Sequence, residues 1–293
     1  MSGPFRRALL APTTLAVLLA SVVPAVAGIR VTFSPRTVRP GDVSLVIVQG
    51  VDDGATLEGS VAGRPLVFFG YARVAAALAA IDFETRPGRY VWKIAVLDKQ
   101  GEPRTLAGRL VVDSRRFPVE RLTLPPAMVD LDGETTRRAD AEQGRLREVF
   151  SAVTRERLWR GRFAVPIAAA GAGTGFGARR VINGRPRSAH AGLDYAAERG
   201  TPVVASNAGR VALVADFFFP GRLVVIDHGL GLHTAYFHLD QVTVAERDLV
   251  ERGHPIGVVG STGRATGPHL HFSAAVGGAR IDPAALLRLD ARD

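Results

Sequence analysis

The chain has 293 residues, no cysteine, and a formal net charge of +9 from 37 basic and 28 acidic side chains. The lack of cysteine excludes disulfides, lipid attachment at a cysteine and any metal site built from thiolates. The modest positive charge contains no run of five like charges, so it fits either an acidic extracellular polymer as partner or only a solvated surface, and it predicts no nucleic-acid partner.

Residues 1–27 have the pattern of a signal peptide. Arg6 and Arg7 precede a mostly apolar stretch, and residues 25–27 (Ala-Val-Ala) form the small-x-small pattern of a cleavage site. A membrane anchor is the alternative, but Pro12 interrupts the apolar run, which is shorter than the roughly 20 residues that a spanning helix needs. We therefore expect an exported protein of the periplasm or cell envelope, with no stable membrane span after cleavage.

Residues 28–118 contain short β-prone segments, such as 43–48 and 90–96, separated by turn residues. Strands at intervals of about ten residues predict a small immunoglobulin-like β-sandwich. This region has no histidine and no acidic cluster, so we expect it to serve in binding or as a spacer.

Residues 119–160 are predicted to form a linker that ends in one amphipathic helix over 145–159. Leu146, Val149, Phe150 and Val153 recur at helical spacing and define its apolar stripe. The stripe either docks on a neighbouring domain or lies across a functional groove as a regulatory element.

Residues 161–293 are predicted to form a compact, largely antiparallel β domain with a short helix after Asp282. All seven histidines of the chain fall between His190 and His271. Without cysteine, a metal held there must be bound by nitrogen and oxygen, which suits zinc, copper or iron.

Two pairs of residues could supply metal ligands. His190 and Asp194 would lie about 13 Å apart on a straight strand, so they can converge only if the chain bends, and Gly192 is expected to permit that bend. His269 and His271 stand two residues apart, which puts both imidazoles on one face of a strand.

The remaining histidines are sorted by strand parity. His233 and His238 would point to opposite faces of a strand, so only a bulge could bring both into one site. His228 and His254 lie in predicted turns and are expected to face solvent or to make hydrogen bonds.

Three ordered motifs resemble the lysostaphin-type (LytM-like) zinc metallopeptidases, which cut peptide cross-links of bacterial peptidoglycan. They are His190-x-x-x-Asp194, Tyr236-x-His238-Leu239 and Gly267-Pro268-His269-Leu270-His271-Phe272, and the resemblance covers residues 160–289. It implies that His190, Asp194 and His271 bind one zinc ion and that His238 and His269 are catalytic histidines that do not bind it. Two imidazoles and one carboxylate leave a zinc ion a fourth position for water, as in catalytic sites.

The sequence departs from this family at one position. Relatives can carry a tyrosine shortly before the first ligand that stabilises the oxyanion, and residues 181–189 contain none. His238, His269 or one of four nearby arginines would have to serve instead. These arginines either grip acidic peptides or are ordinary surface charge: Arg179, Arg180, Arg185 and Arg187.

Family habits favour a bond between D-alanine and a diamino acid as the substrate. The main alternative is a catalytically silent LytM-like module that binds cell wall or activates an amidase, but no ligand of the motif is missing. A metal-delivery protein is a second alternative. A swinging-arm carrier is excluded because residues 161–293 contain no lysine to modify.

Overall fold

The computed structural model describes residues 28–71, 73–97, 103–125, 129–168 and 173–290, so the predicted signal peptide lies outside the described residues. Strands dominate this part of the chain, which confirms the mainly β prediction. Within the described ranges, no helix is long and apolar enough to cross a membrane.

The amino-terminal part contains two sheets that share one core. The first has the strand order β1 (Arg30–Ser34), β3 (Val43–Gln49), β7 (Val74–Ala80) and β6 (Phe68–Tyr71). The second has the order β2 (Thr37–Val38), β9 (Pro103–Val112), β8 (Gly88–Leu97), β4 (Thr56–Val61) and β5 (Arg64–Pro65).

Alternation along these strands builds the core between the two sheets. Val46 and Val48 of β3 face Trp92 and Ile94 of β8 in one apolar cluster, and each is at most 5% exposed. Trp92 is therefore a core residue, and its burial contributes to holding the sheets together.

The outer face of the first sheet packs against the carboxy-terminal half of the chain. Leu45 and Leu78 lie in one apolar cluster with Trp159, Leu232 and Ile281. An ion pair between the half-exposed Arg280 and the buried Asp82, 3.3 Å apart, lies at the same contact. Apolar burial on both sides fixes the sandwich to the rest of the protein.

The segment after the sandwich is more structured than a linker. Strand β10 (Val119–Leu122) pairs in parallel with β11 (Arg179–Ile182), which forms a hairpin with β12 (Arg185–Pro186). In the chain, helix α1 (Gly133–Ser151) lies between β10 and β11. The side chain of its N-cap Asp132 accepts a hydrogen bond from Thr135 N at 2.7 Å.

Helix α1 corrects the prediction of a helix over 145–159. The N-cap at Asp132 starts the helix earlier, and it ends before Val153, which is 49% exposed. Leu146, Val149 and Phe150 do pack as an apolar stripe, on a cluster that includes Leu213, Leu223 and Ala235. The helix thus docks on a sheet face.

A nine-stranded, antiparallel sheet forms the carboxy-terminal part. Its main path runs β13 (Gly192–Ala196), β20 (His269–Val276), β17 (Leu232–Val242), β16 (Gly221–Asp227), β15 (Gly209–Phe217) and β18 (Leu249–Val250). Strands β14 (Pro202–Val204), β19 (Pro255–Val259) and β21 (Ala279–Ile281) pair at its sides, and helix α2 (Pro283–Arg288) closes the chain after the N-cap Asp282.

Candidate metal centre

Strand pairing brings the first predicted motif against the last. Asp194 of β13 lies directly opposite His271 of β20. His190 precedes β13, and two hydrogen bonds hold its backbone: its amide donates to Ala178 O at 2.9 Å, and its carbonyl accepts from Gly177 N at 2.7 Å. Pairing with residues 177 and 178 and with β20 therefore positions the first motif beside His271.

Gly192 has a different role from the predicted one. It lies within β13, and its φ is not in the left-handed region. A Cβ at this position would come within 2.5 Å of His271 Nε2. The absent side chain therefore makes room for the His271 ring instead of permitting a bend.

Three donor atoms converge at one point. His190 Nε2 lies 3.0 Å from Asp194 Oδ1 and 2.8 Å from His271 Nδ1, and His271 Nδ1 lies 2.8 Å from the same carboxylate oxygen. His190 is 2% exposed, so a buried nitrogen faces a second nitrogen and a carboxylate. Such a cluster of lone pairs in one small space is the arrangement of a metal-binding site.

The hydrogen bonds around His271 set its tautomer. Ser273 Oγ donates to Ala191 O at 3.1 Å, so it accepts from His271 Nε2, which is 2.9 Å away. The proton therefore sits on Nε2, and the Nδ1 lone pair points to the cluster. This is the form of imidazole that a metal ion requires.

Electrostatics agree with a carboxylate among neutral imidazoles. Burial raises the pKa of Asp194, but the polar contacts with His190 and His271 outweigh burial and hold the pKa below its ordinary value. Burial lowers the pKa of His271 to about 4. At neutral pH the cluster therefore contains a charged carboxylate and a neutral His271.

His238 and His269 stand over the donor cluster. Their ring centroids are 4.7 Å apart, and His238 lies 6.1 Å from His271. His238 Nδ1 donates to Thr262 O at 2.8 Å, and His269 Nδ1 donates to Gly267 O at 2.9 Å. Each imidazole thus keeps Nε2 as its free acceptor, and His269 Nε2 lies 3.8 Å from Asp194 Oδ1.

A left-handed backbone places His238 there. Phe237 lies opposite His271 in the sheet, with its ring stacked 5.2 Å from the imidazole, so a regular strand would turn His238 to the other face. His238 instead has φ of 61°, beside a register shift in the pairing of β17 with β19. The left-handed residue therefore turns His238 to the face of His271, while His233 lies outside the site.

Comparison with known proteins identifies this part of the chain. Residues 188–283 match peptidase family M23. The chain carries an M23 peptidase domain.

Curated relatives from several bacteria match the M23 domain. The Vibrio cholerae peptidoglycan DD-endopeptidase ShyB is 41% identical over 93 residues, which are 32% of this chain and 22% of the relative. The Neisseria meningitidis DD-carboxypeptidase/endopeptidase Mpg is 46% identical over 94 residues, again 32% of this chain and 22% of the relative. The matched part is thus about a fifth of the length of these relatives.

A solved structure is similar over a longer part of the chain. A Pseudomonas aeruginosa crystal structure assigned to peptidase M23 has a TM-score of 0.63 and 28% identity, and the match covers 85% of this chain and 94% of that one. The similarity therefore extends beyond the M23 domain itself.

The other three histidines lie apart from the donor cluster. His228 is fully buried, between Ala208 O at 2.7 Å and Thr234 Oγ1 at 2.8 Å, so the prediction of a hydrogen-bonding role is confirmed and that of a solvent-facing one is wrong. His233 is also buried, with Nδ1 on Gly231 O. His254 is exposed.

Of the four arginines singled out in the sequence, one approaches the donor cluster. Arg180 Nη2 lies 3.7 Å from Asp194 Oδ2. Arg185 pairs with Asp130, and Arg187 donates to Val129 O. Arg179 is exposed.

Sequence reasoning missed Ser273, Thr262 and Arg264 of the M23 domain. Ser273 stands two residues after His271 on one strand, so parity could have found it. Thr262 and Arg264 belong to a loop, where no periodic pattern predicts which groups face the site.

Proposed function

We propose that the protein is a zinc-dependent endopeptidase that hydrolyses peptide cross-links of peptidoglycan. The observation that carries this proposal is the convergence of His190 Nε2, Asp194 Oδ1 and His271 Nδ1 within 3.0 Å of one another. The M23 match and the names of the relatives point to the same chemistry.

The donor set fits zinc. Two neutral imidazoles and one carboxylate are the ligands of many catalytic zinc sites, and three protein ligands leave a position for water or substrate. The Ser273 hydrogen bond that fixes the His271 tautomer supplies the outer support that such ligands need. His190, Asp194 and His271 would therefore hold the ion, one for each chain.

His238 and His269 would move the protons of the reaction. When bound, a zinc ion in such a site acidifies water and polarises the scissile carbonyl. Both histidines hold their Nδ1 protons on backbone carbonyls, so Nε2 is the atom at which each can accept a proton and return it to the leaving amine. Their closeness also brings a second positive charge near the developing oxyanion after one of them is protonated.

Two relatives support a more specific substrate. Both names contain a DD-peptidase activity, which fits cleavage between D-alanine and a diamino acid. We propose this bond as the one that the protein cuts.

The test is digestion of purified cross-linked muropeptides, followed by mass spectrometry. Wild-type protein should convert dimers to monomers with a new amine at the predicted bond, and a chelator should stop the reaction until zinc is restored. A catalytically silent module would bind the same material without changing its mass. Metal binding with no cleavage of any cross-link would overturn the proposed function.

We also propose the remaining layout of the chain. Residues 1–27 would be a cleaved signal peptide that delivers the protein to the periplasm or cell envelope. Residues 28–118 would be an immunoglobulin-like domain, 119–160 a connecting segment with α1, and 161–293 the peptidase domain. Support for the second assignment comes from the two sheets β1-β3-β7-β6 and β2-β9-β8-β4-β5, which pack on one core, because two sheets packed face to face are the basis of that fold.

A further inference from the structure

Three arginines gather beside the donor cluster, and we call Arg180, Arg187 and Arg264 the arginine triad. Arg180 and Arg187 stand opposite each other in the hairpin of β11 and β12, and the Arg187 amide donates to Arg180 O at 2.8 Å. Opposite residues of a hairpin project to the same face, and like charges in that position destabilise the pair. The fold therefore holds two positive charges together on this side of the site.

Arg264 approaches from the other side. Its amide donates to Phe219 O at 2.9 Å, and its guanidinium lies 4.1 Å from the centre of the Phe219 ring. Two residues earlier, Thr262 O accepts the Nδ1 proton of His238. The loop that orients one imidazole of the site thus also delivers this guanidinium.

Within the arginine triad, Arg264 is partly buried beside the other two guanidinium groups. Burial lowers the pKa of Arg264, and the positive charges of Arg180 and Arg187 lower it further. Among the described residues, Arg264 has no carboxylate partner within salt-bridge distance, and Arg187 contacts only a carbonyl, Val129 O at 3.4 Å. A guanidinium that loses water without gaining an anion carries an unfavourable free energy that an incoming carboxylate would offset.

The acidic groups nearby are already engaged. Glu120 Oε2 lies 3.1 Å from Arg180 Nε, and Asp194 Oδ1 belongs to the donor cluster. Arg180 Nη2 lies 3.7 Å from the other oxygen, Asp194 Oδ2, which places the arginine triad directly beside the reacting centre. An anion bound there would therefore belong to a group next to the scissile bond.

We propose that the arginine triad binds a substrate carboxylate on the amine side of the scissile bond. This inference rests on the proposed peptidase function. In a cross-link whose acylated amine stands on a carbon that also bears a carboxylate, that carboxylate lies two bonds from the scissile nitrogen. Guanidinium forks match carboxylates in charge and planar geometry, so they select such a substrate over its neutral counterpart.

The test compares two cross-linked muropeptides that differ only in whether this carboxylate is free or amidated. Wild-type protein should cleave the free acid more efficiently, by a kcat/KM ratio on the order of tenfold to a hundredfold, the range expected for hydrogen bonds to a charged group. Arg264→Gln and Arg187→Gln should reduce this ratio by lowering kcat/KM for the free acid alone. Arg187 is exposed, so its variant should fold normally.

Arg210→Gln is the matched control, because it removes one exposed arginine of β15 outside the arginine triad. It should keep both the wild-type ratio and the zinc content. Binding of the uncleaved free-acid dimer to zinc-free protein, followed by calorimetry, gives a readout independent of turnover, and Arg264→Gln should weaken it while Arg210→Gln should not.

The outcomes separate the two proposals. If wild-type protein cleaves neither dimer, the proposed function fails. If it cleaves both with equal kcat/KM, or if Arg264→Gln and Arg187→Gln lower both values in proportion, the carboxylate site is wrong while the peptidase function stands.

Discussion

Strand β17 carries two buried histidines that have opposite surroundings. His233, near its start, directs Nδ1 to Gly231 O at 3.2 Å, has Asp227 Oδ1 3.7 Å from Nε2, and meets the edge of Phe150. His238 lies five residues later, with its ring 6.1 Å from that of His271, and it anchors Nδ1 on Thr262 O and keeps Nε2 free. Burial alone does not distinguish the two.

The difference lies in the backbone and in what surrounds the second nitrogen. His228 uses both ring nitrogens in hydrogen bonds, and the buried His233 directs Nδ1 to a backbone carbonyl, so both rings belong to the protein interior. His238 is rotated by a left-handed φ of 61° toward His269 and His271. A strained residue held by surrounding structure is typical of functional sites. The M23 domain thus contains two groups of histidines: a site group around the donor cluster and an internal group. The site group is His190, His238, His269 and His271, and the internal group is His228 and His233.

Loss of a proposed ligand should produce the largest effect. His190→Ala or His271→Ala should abolish stoichiometric zinc binding and reduce cross-link hydrolysis by about a thousandfold or more, because two donors cannot hold an open zinc site. Zinc analysis of purified protein and a muropeptide assay measure both. His233→Ala is the control from the internal group and should retain its zinc. Full activity in either ligand variant would show that the proposed ligands are no more important for activity than the internal histidine.

The two free Nε2 atoms provide the next test. His238→Ala and His269→Ala should each lower kcat by about 10²- to 10⁴-fold while zinc content stays near wild type, since a positioned acid or base contributes that much. Zinc loss in both variants would instead make these histidines ligands.

Much of this site follows from sequence order and parity. The spacing of His190 with Asp194 and of His269 with His271 singles out the candidate residues, and the alternation of β20 places both of its histidines on one face. Their division into ligands and non-ligands came from the resemblance to a known family. Long-range strand pairing could not be predicted from the sequence. Asp194 and His271 are 77 residues apart in the chain, and the register of β13 and β20 places them opposite each other. That register depends on packing over the whole sheet.

Other features depend on tertiary context even more. The side chain of Asp132 caps α1 and so sets its start, whereas the predicted start at residue 145 was based on the apolar stripe alone. The positive φ of His238 arises from a bulge where β17 leaves one partner for another, and no residue near it is a glycine that would mark the bend. Arg264 belongs to a loop and reaches the site only through the packing of that loop on Phe219.

The internal group should respond to pH through stability. Burial lowers the pKa of His228 to about 4 from 6.5, so the unfolded chain takes up a proton below pH 6.5 while the folded chain stays neutral. Stability from this residue is complete above pH 6.5 and is lost as the pH falls toward 4. Between pH 7 and pH 5 the free energy of unfolding should fall by about 2 kcal/mol from His228 alone.

Urea unfolding at the two pH values measures this change. His228→Gln should remove most of that difference, although it also lowers stability at pH 7 because the hydrogen bonds to Ala208 and Thr234 change. His254→Ala removes an exposed histidine and should keep the wild-type pH dependence. Equal pH dependence in all three proteins would show that His228 is not responsible.

The smallest effect is expected from Ser273, which contacts the nitrogen of His271 that faces away from the donor cluster. Ser273 Oγ accepts a hydrogen bond from His271 Nε2 at 2.9 Å and donates one to Ala191 O. Ser273→Ala should therefore leave the tautomer of His271 free to change. Loss of such outer support typically costs about 10- to 100-fold in metal affinity. A competition titration with a zinc chelator measures it, and Ser44→Ala, which removes a buried hydroxyl of the amino-terminal sandwich, should leave the affinity unchanged. Wild-type affinity in Ser273→Ala would mean that stacking on Phe237 alone orients His271, since that ring contact remains when the hydroxyl is gone.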